Sequence, residues 1–323
     1  MTFNNNFNNN FKNQYSNANF GGNGSGMPSY NEGILISPNK LVESEENVNI
    51  VNLIVDSRDR DHGSYINPNS YIVYLPESYR DVLSIELLSI DIPKTQFNIH
   101  SGNNILHLIA GADDNATTQI TVPVGEYNIT DLLTQIQTLL NALTGNTTYT
   151  ATLDTKTRQV KIKQTGNTTT KFKLVLGEQV SSYANKTNLL YKSNSIGRIL
   201  GFRAQLTKDN TSDEIVSEGS YNISGESVAV MHLENIEKND GTSNIFRNSF
   251  ARLSLADKSY GEYKSLKVSD FGSRCIKKYN PSLGNLSKLN VKFYNHDGSL
   301  YDFNGADHSF TLEIRTRYNK NSM

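Results

Sequence analysis

The 323-residue chain has no tryptophan and a single cysteine, Cys275. A lone thiol excludes an intrachain disulfide and a cysteine metal cluster, and it suits a reducing compartment. No apolar run approaches the roughly 20 residues that cross a bilayer. The N-terminus lacks the basic and apolar regions of a secretion signal, so the chain is expected to be made and used, or packaged, inside a cell. An excess of one charge is missing too, with 31 Lys and Arg against 32 Asp and Glu. A dedicated nucleic-acid binder carries a clear basic excess, because phosphate contacts supply much of its affinity. Nucleic-acid contact is therefore not expected.

Motifs for chemistry are equally scarce. The six histidines are scattered, and no pair has the i,i+4 helical spacing of a zinc site. There is no G-x-S-x-G. GGNGSG at 21–26 follows no strand and is not followed by the Lys-Ser/Thr of a phosphate loop. Cys275 has Arg274, Lys277 and Lys278 nearby, cations that act to lower its pKa, but nothing in the sequence orients a base beside it. It reads as a buried or incidental thiol. No catalytic residue, metal ligand or cofactor is expected.

What is present divides the chain in two. Residues 1–47 form an Asn/Gly-rich arm and linker, MTFNNNFNNNFKNQYSNANFGGNGSG and onward to the acidic ESEE at 43–46. Such a segment has no continuous apolar face to repay its ordering entropy. It is expected to be disordered, or to order on assembly. Phe3, Phe7, Phe11, Tyr15 and Phe20 are spaced singly along it, as candidate contacts with a neighbouring surface.

Residues 48–323 carry strand patterns. Ile50, Val51, Leu53, Ile54 and Val55 are mostly β-branched. HGSYINPNS reads as a turn, YIVYLP as a second strand, and VLSIELLSIDIP as a further run with a bulge or two covered faces. NILHLI and TQITVP read as strands. Leu132, Leu133, Ile136, Leu139, Leu140 and Leu143 then make one helical stripe, with Asn128 or Thr130 as its cap and Gly145 beyond its end. Period two returns in TYTATLD, RQVKIKQ and KFKLVLG, an amphipathic meander. After a mixed stretch holding IGRILGF, strands resume at SVAVMHLENI, RLSLAD, SLKVSD, LNVKFYN and HSFTLEIRTRY. The expected fold is mainly β: a jelly-roll-like β-sandwich with a small α/β insertion containing one clear helix. The inserted helix-plus-hairpin module is placed around 124–177.

One charged segment stands out. Asp56, Arg58, Asp59, Arg60 and Asp61 follow the first strand directly. Paired carboxylates serve acid–base chemistry when a cleft raises one pKa, but no second acidic cluster supports that here. The remaining readings are a solvated turn with local ion pairs, or an Arg–carboxylate network pinning the strand end or a neighbouring subunit. Residues 247–292 are locally basic, with ten Lys or Arg and three Asp or Glu. The wet face of a sheet accounts for that charge, and so does a contact with the acidic 43–46 segment of the same chain or a neighbour, with nucleic acid as the lesser reading.

Taken in order, VDSRDRDHGSYINPNSYIVYLPESYRDVLSIELLSIDIPKTQFNI, VPVGEYNITDLLTQIQTLLNAL, IGRILGF and NHDGSLYDFNGADHSFTLEIRTRY resemble structural proteins of nucleocytoplasmic large DNA viruses. The resemblance covers residues 48–320 and leaves out the arm. It implies a penton-type or other minor capsid protein without enzymatic activity, stabilising the shell through subunit contacts. Its partners would be copies of itself, a pentamer at a five-fold vertex, together with other capsid proteins. Its location would be the virion capsid, after assembly in the cytoplasm of an infected cell. The family brings no catalytic residues to transfer. Two other classes are weighed: a glycan- or receptor-binding, fibre-like β module, and a glycoside hydrolase with a carboxylate pair in a cleft.

Overall fold

The computed structural model describes residues 48–110, 117–143, 147–166, 172–183, 186–191, 195–203, 207–209 and 213–317. The arm aromatics Phe3, Phe7, Phe11, Tyr15 and Phe20 lie outside the described residues, as does Gly145. β1 (Val48–Asp56) and β2 (Ser70–Pro93) open the fold. β3 (Ile105–Ala110), β4 (Thr117–Thr121), α1 (Ile129–Asn141), β5 (Thr147–Leu153), β6 (Val160–Gly166) and β7 (Phe172–Val175) follow. Next come β8 (Gly177–Tyr183), β9 (Lys186–Tyr191), β10 (Thr207–Asp209) and β11 (Glu214–Val216). β12 (Val228–Leu233), β13 (Ala251–Ser254), β14 (Tyr263–Lys267), β15 (Ile276–Tyr294) and β16 (Ser309–Arg317) close it.

Two long strands organise the first core. β2 has 24 residues and β15 has 19. The first half of β2 pairs with the C-terminal part of β15, from Ser70 opposite Lys292 to Tyr79 opposite Leu286. β12 and β13 continue that wall. The second half of β2 pairs with β16 on one flank, and with β14 and the start of β15 on the other. β1 lies outside β16. All these pairings are antiparallel. The sheet therefore curls into two walls, and β2 and β15 belong to both. The bend in β2 falls at Asp81, whose φ is 52°. The ladder shifts register between Lys278 and Leu283 of β15, facing that bend.

The interior follows from alternation. Leu53 and Val55 of β1, Phe310, Leu312 and Ile314 of β16, and Val82, Ile85 and Leu87 of β2 are buried in one cluster with Met231, Leu253, Leu289, Val291 and Phe293. This is a mainly β, jelly-roll-like sandwich.

A second cluster gathers around α1 and is drawn from Ile99 to Ile223. Two small sheets, β10-β7-β3-β4 and β11-β6-β5, supply strands to it; β8 and β9 form a separate hairpin. The Asn128 side chain accepts a hydrogen bond from Asp131 N (2.9 Å), so Asn128 rather than Thr130 is the cap. Leu132, Leu133, Ile136 and Leu140 are buried against Leu106, Ile162 and Phe172, with Leu139 and Leu143 half-buried beside them. The segment IGRILGF turns at Gly201, where φ is +90° and a Cβ would collide with the Gly219 carbonyl oxygen. Only glycine fits there.

Two readings of the strand pattern change. YIVYLP and VLSIELLSIDIP are one continuous strand, β2. The strand read from Leu289 begins thirteen residues earlier, at Ile276, and runs through Pro281 and Gly284. Both residues are turn signals locally, but they sit where the strand bends between walls, and bends tolerate them.

Candidate assembly interface

The acidic and basic residues after β1 sort into two kinds of contact. Asp56 caps a single 3-10 turn, Ser57–Asp59, by accepting from Arg58 N (2.9 Å). The same carboxylate takes Arg58 Nε (2.9 Å) and Nη2 (2.6 Å). The hydrogen bonds from the Arg58 side chain hold the Asp56 carboxyl below its usual range. This pair is local and largely solvated. Arg60 behaves differently. Its side chain is 5% exposed and donates to Ser57 O (2.6 Å), Tyr65 O (3.0 Å), Ile66 O (3.1 Å) and Asp307 Oδ1 (2.8 Å). One guanidinium thus ties both sides of the 57–66 loop to the residue two positions before β16.

Asp307 also accepts from Ser57 Oγ (2.7 Å). Burial pushes its carboxyl up, but the hydrogen bonds from Ser57 and Arg60 outweigh that and leave it below the usual range. Asp61 closes the loop tip by accepting from Ser64 Oγ (2.6 Å) and Gly63 N (2.9 Å), which lowers its pKa. Asp59 is exposed. The structure thus places Asp56 with Arg58 and Arg60 with Asp307, while Asp59 and Asp61 face solvent on the same loop.

Beside this network lies His308, buried among Phe293, Phe303, Tyr71 and Phe310, with ring centroids 4.5, 5.0, 5.7 and 6.3 Å away. Burial pushes its pKa down to about 4. The neutral ring donates Nε2–H to Pro68 O (3.0 Å), and its Nδ1 has no hydrogen-bond partner. Ser, His and Asp meet here without forming a nucleophile. Ser57 Oγ donates to the carboxylate and accepts from the backbone N–H of His308 (3.0 Å), while the imidazole bonds away from it, to Pro68. No base is aligned on the hydroxyl, and Ser57 is fully buried.

A second charged group was not legible in the sequence. Glu86 is nearly inaccessible, yet it points to the outer face of β2, where Arg274 clasps it through Nε (2.5 Å) and Nη2. Glu313 lies opposite Glu86 in the ladder and holds Arg315 (2.6 Å). The two carboxylates thus face each other across the ladder, each paired with its own arginine. The one sequence signal was a single Glu inside the apolar run S-I-E-L-L. Its partner is 188 residues away.

Cys275 is buried, and burial raises its pKa, with Lys238 opposing. It lines a cleft of about 670 Å³ with Arg252, Leu266 and Phe271. Among the described residues, no group of three or more His, Cys, Asp or Glu is placed to hold a metal ion. Also among them, no helix is long and apolar enough to cross a membrane.

Exposed apolar side chains mark a different place. Ile50 (53%), Ile54 (73%), Ile66 (79%) and Tyr74 (77%) lie on β1, the loop after it and the start of β2. A cleft of about 510 Å³ opens beside Ile54 and Tyr74, with Val73 and Leu75 also lining it and Asp59 and Asp61 at its rim. It is one lateral opening of the sandwich. β1 pairs only with β16 there, and β2 from Ser70 to Tyr74 only with β15, among the described residues. Two unpaired strand edges therefore flank one cleft, with Ile54 and Tyr74 exposed beside it.

A family model described as a family of unknown function (DUF5901) matches residues 41–173 and 153–322. No curated protein matches the chain. Among solved structures, it is distantly similar to the crystal structure of the selenomethionine-labelled mavirus penton protein. The TM-score is 0.39 at 11% identity, covering 83% of this chain and 99% of that one.

Proposed function

The chain belongs to the DUF5901 family, and from its surface we propose that it is a structural virion component, a minor capsid protein at the penton. Its work is to stabilise a shell through contacts with copies of itself and with other capsid proteins, without bond-making chemistry. The observation that carries this reading is the lateral opening beside β1. Large apolar side chains scattered singly over a surface need no explanation, but a group of them along an unprotected strand edge marks an interaction site. The charged loop supports the same reading. Arg60 and Asp307 hold the rim of that opening rigid, so a partner meets a preformed surface. The ordered set of motifs shared with large-DNA-virus structural proteins points the same way. The site is the virion, with assembly in the cytoplasm of the infected cell; the arm residues Phe3, Phe7, Phe11, Tyr15 and Phe20 supply further contacts there.

Purification of particles from the encoding virus tests this. The chain should copurify at a fixed ratio to the major shell protein, with density at the five-fold vertices of a reconstruction. Its absence from particles, while infected-cell extracts contain it, overturns the proposal.

A further inference from the structure

Sheet edges in natural proteins are blunted by Lys, Pro, a bulge or a very short strand. β1 has none of these. From Val48 to Val55 it reads V-N-I-V-N-L-I-V, without charge or proline, and it pairs with β16 over nine residues without a register shift. The alternation of its backbone is fixed by Ser57, which donates N–H to His308 O (2.9 Å). In an antiparallel ladder such bonded positions recur every second residue. Carried back along the register, Asn49, Val51, Leu53 and Val55 bond to β16. The N–H and C=O groups of Ile50, Asn52 and Ile54 then point to the open edge, and the side chains of the two isoleucines stand exposed on the outer face.

We infer that β1 pairs with β1 of a second copy of this chain, antiparallel, about a two-fold axis at Asn52. The inference rests on the assembly reading above only in that copies associate, and it names a pairing contact separate from any that closes a five-fold ring. In this register Asn52 meets its own counterpart, and Ile50 of each copy meets Ile54 of the other. Every residue whose backbone groups face outward meets another of the same kind, so the new ladder leaves none unmatched. Charge selects the orientation. Asp56 ends the uncharged run on one side, and Arg317 stands opposite Val48 on the other. Antiparallel pairing brings Asp56 of each copy toward Arg317 of its mate, whereas parallel pairing aligns Asp56 with Asp56. The contact uses the same surface on both copies, so it closes at two.

The test places a thiol on the axis of the full-length chain, where the native cysteine is buried. Bonded antiparallel neighbours stand about 5.5 Å apart at Cα, within reach of a disulfide. Under mild oxidation most of Asn52→Cys should run as a reducible dimer. Asn49→Cys, whose counterpart across the axis is Val55, should stay monomeric. Without oxidant, Ile54→Lys should shift the sedimentation of the chain from dimer to monomer with its circular dichroism unchanged. No Asn52→Cys dimer, equal cross-linking at both positions, or unaltered sedimentation of Ile54→Lys overturns the inference. Cross-linking of Asn52→Cys in particles to another virion protein alone also overturns it, and leaves the assembly reading standing. A dimer formed by a chain that never enters particles does the reverse.

Discussion

Arg58 and Arg60 sit two positions apart, yet their surroundings give them different energetic weight. Arg58 is a solvated partner of Asp56, and such pairs contribute little. Arg60 is buried and saturates four acceptors. Arg60→Ala leaves Asp307 with only its Ser57 donor and takes the guanidinium away from three loop carbonyls, and should cost about 3 kcal/mol in chemical denaturation. Arg58→Ala should leave the midpoint where it is. Arg60→Lys should recover little, because one ammonium cannot reach acceptors spread around a planar fork. His308 supplies a pH dependence of definite sign. Its pKa is about 4 folded against 6.5 for the free group. The unfolded chain therefore binds more protons between those values, and stability falls as pH drops from about 6.5 to 4. The total loss is at most about 3 kcal/mol. Asp56, Asp61 and Asp307 lose their contributions at lower pH, from about 3.8 downward. Denaturation series across this range should show the upper slope shrink in His308→Phe relative to the parent, with the remainder coming from His100 and His232, whose pKa values burial also lowers. The charges of the Asp/Arg segment were legible in sequence, but which of them pair with which was not. Asp307 lies 247 residues beyond Arg60, and no local pattern announces such a partner.

For the strands, periodicity was informative wherever one face is buried and the other wet. β16, β6 and the stripe of α1 followed their patterns for that reason. β2 and β15 did not, because each changes wall partway and so changes which residues face inward. Asp81 marks the bend of β2. Asp81→Gly should be tolerated, while Asp81→Val should cost about 1–2 kcal/mol, the price of forcing a branched residue into a left-handed backbone. Hydrogen exchange on β1 offers a separate check on its open edge. In the isolated monomer the amides of Val51, Leu53 and Val55 should be protected and those of Ile50, Asn52 and Ile54 should exchange quickly, giving an alternating pattern. Uniform protection would mean the edge is already covered.

At the scale of the whole molecule, composition and patterning made the β class and the helix α1 readable among the described residues, since both follow from periodic burial. The existence of two cores was less so. The elements from β3 to β7, with β11, join a common interior through contacts among short strands that are individually weak in sequence. The near balance of charge also has a consequence at this scale. With a formal net charge of −1, self-repulsion between copies is small at neutral pH. Self-association through β1 should therefore change little over a tenfold range of salt in sedimentation experiments, because its core contact is apolar rather than ionic. A steep weakening with salt would assign the contact to the charged loop instead.

The sharing of β2 and β15 between both walls bears on how the molecule carries force. Two sheets joined only by loops can slide over one another or peel apart when pulled. Here a tug on either layer runs along continuous covalent chain into the other. The block should thus yield first in its loops and at its rim, and transmit stress from one neighbour to the next as a stiff unit.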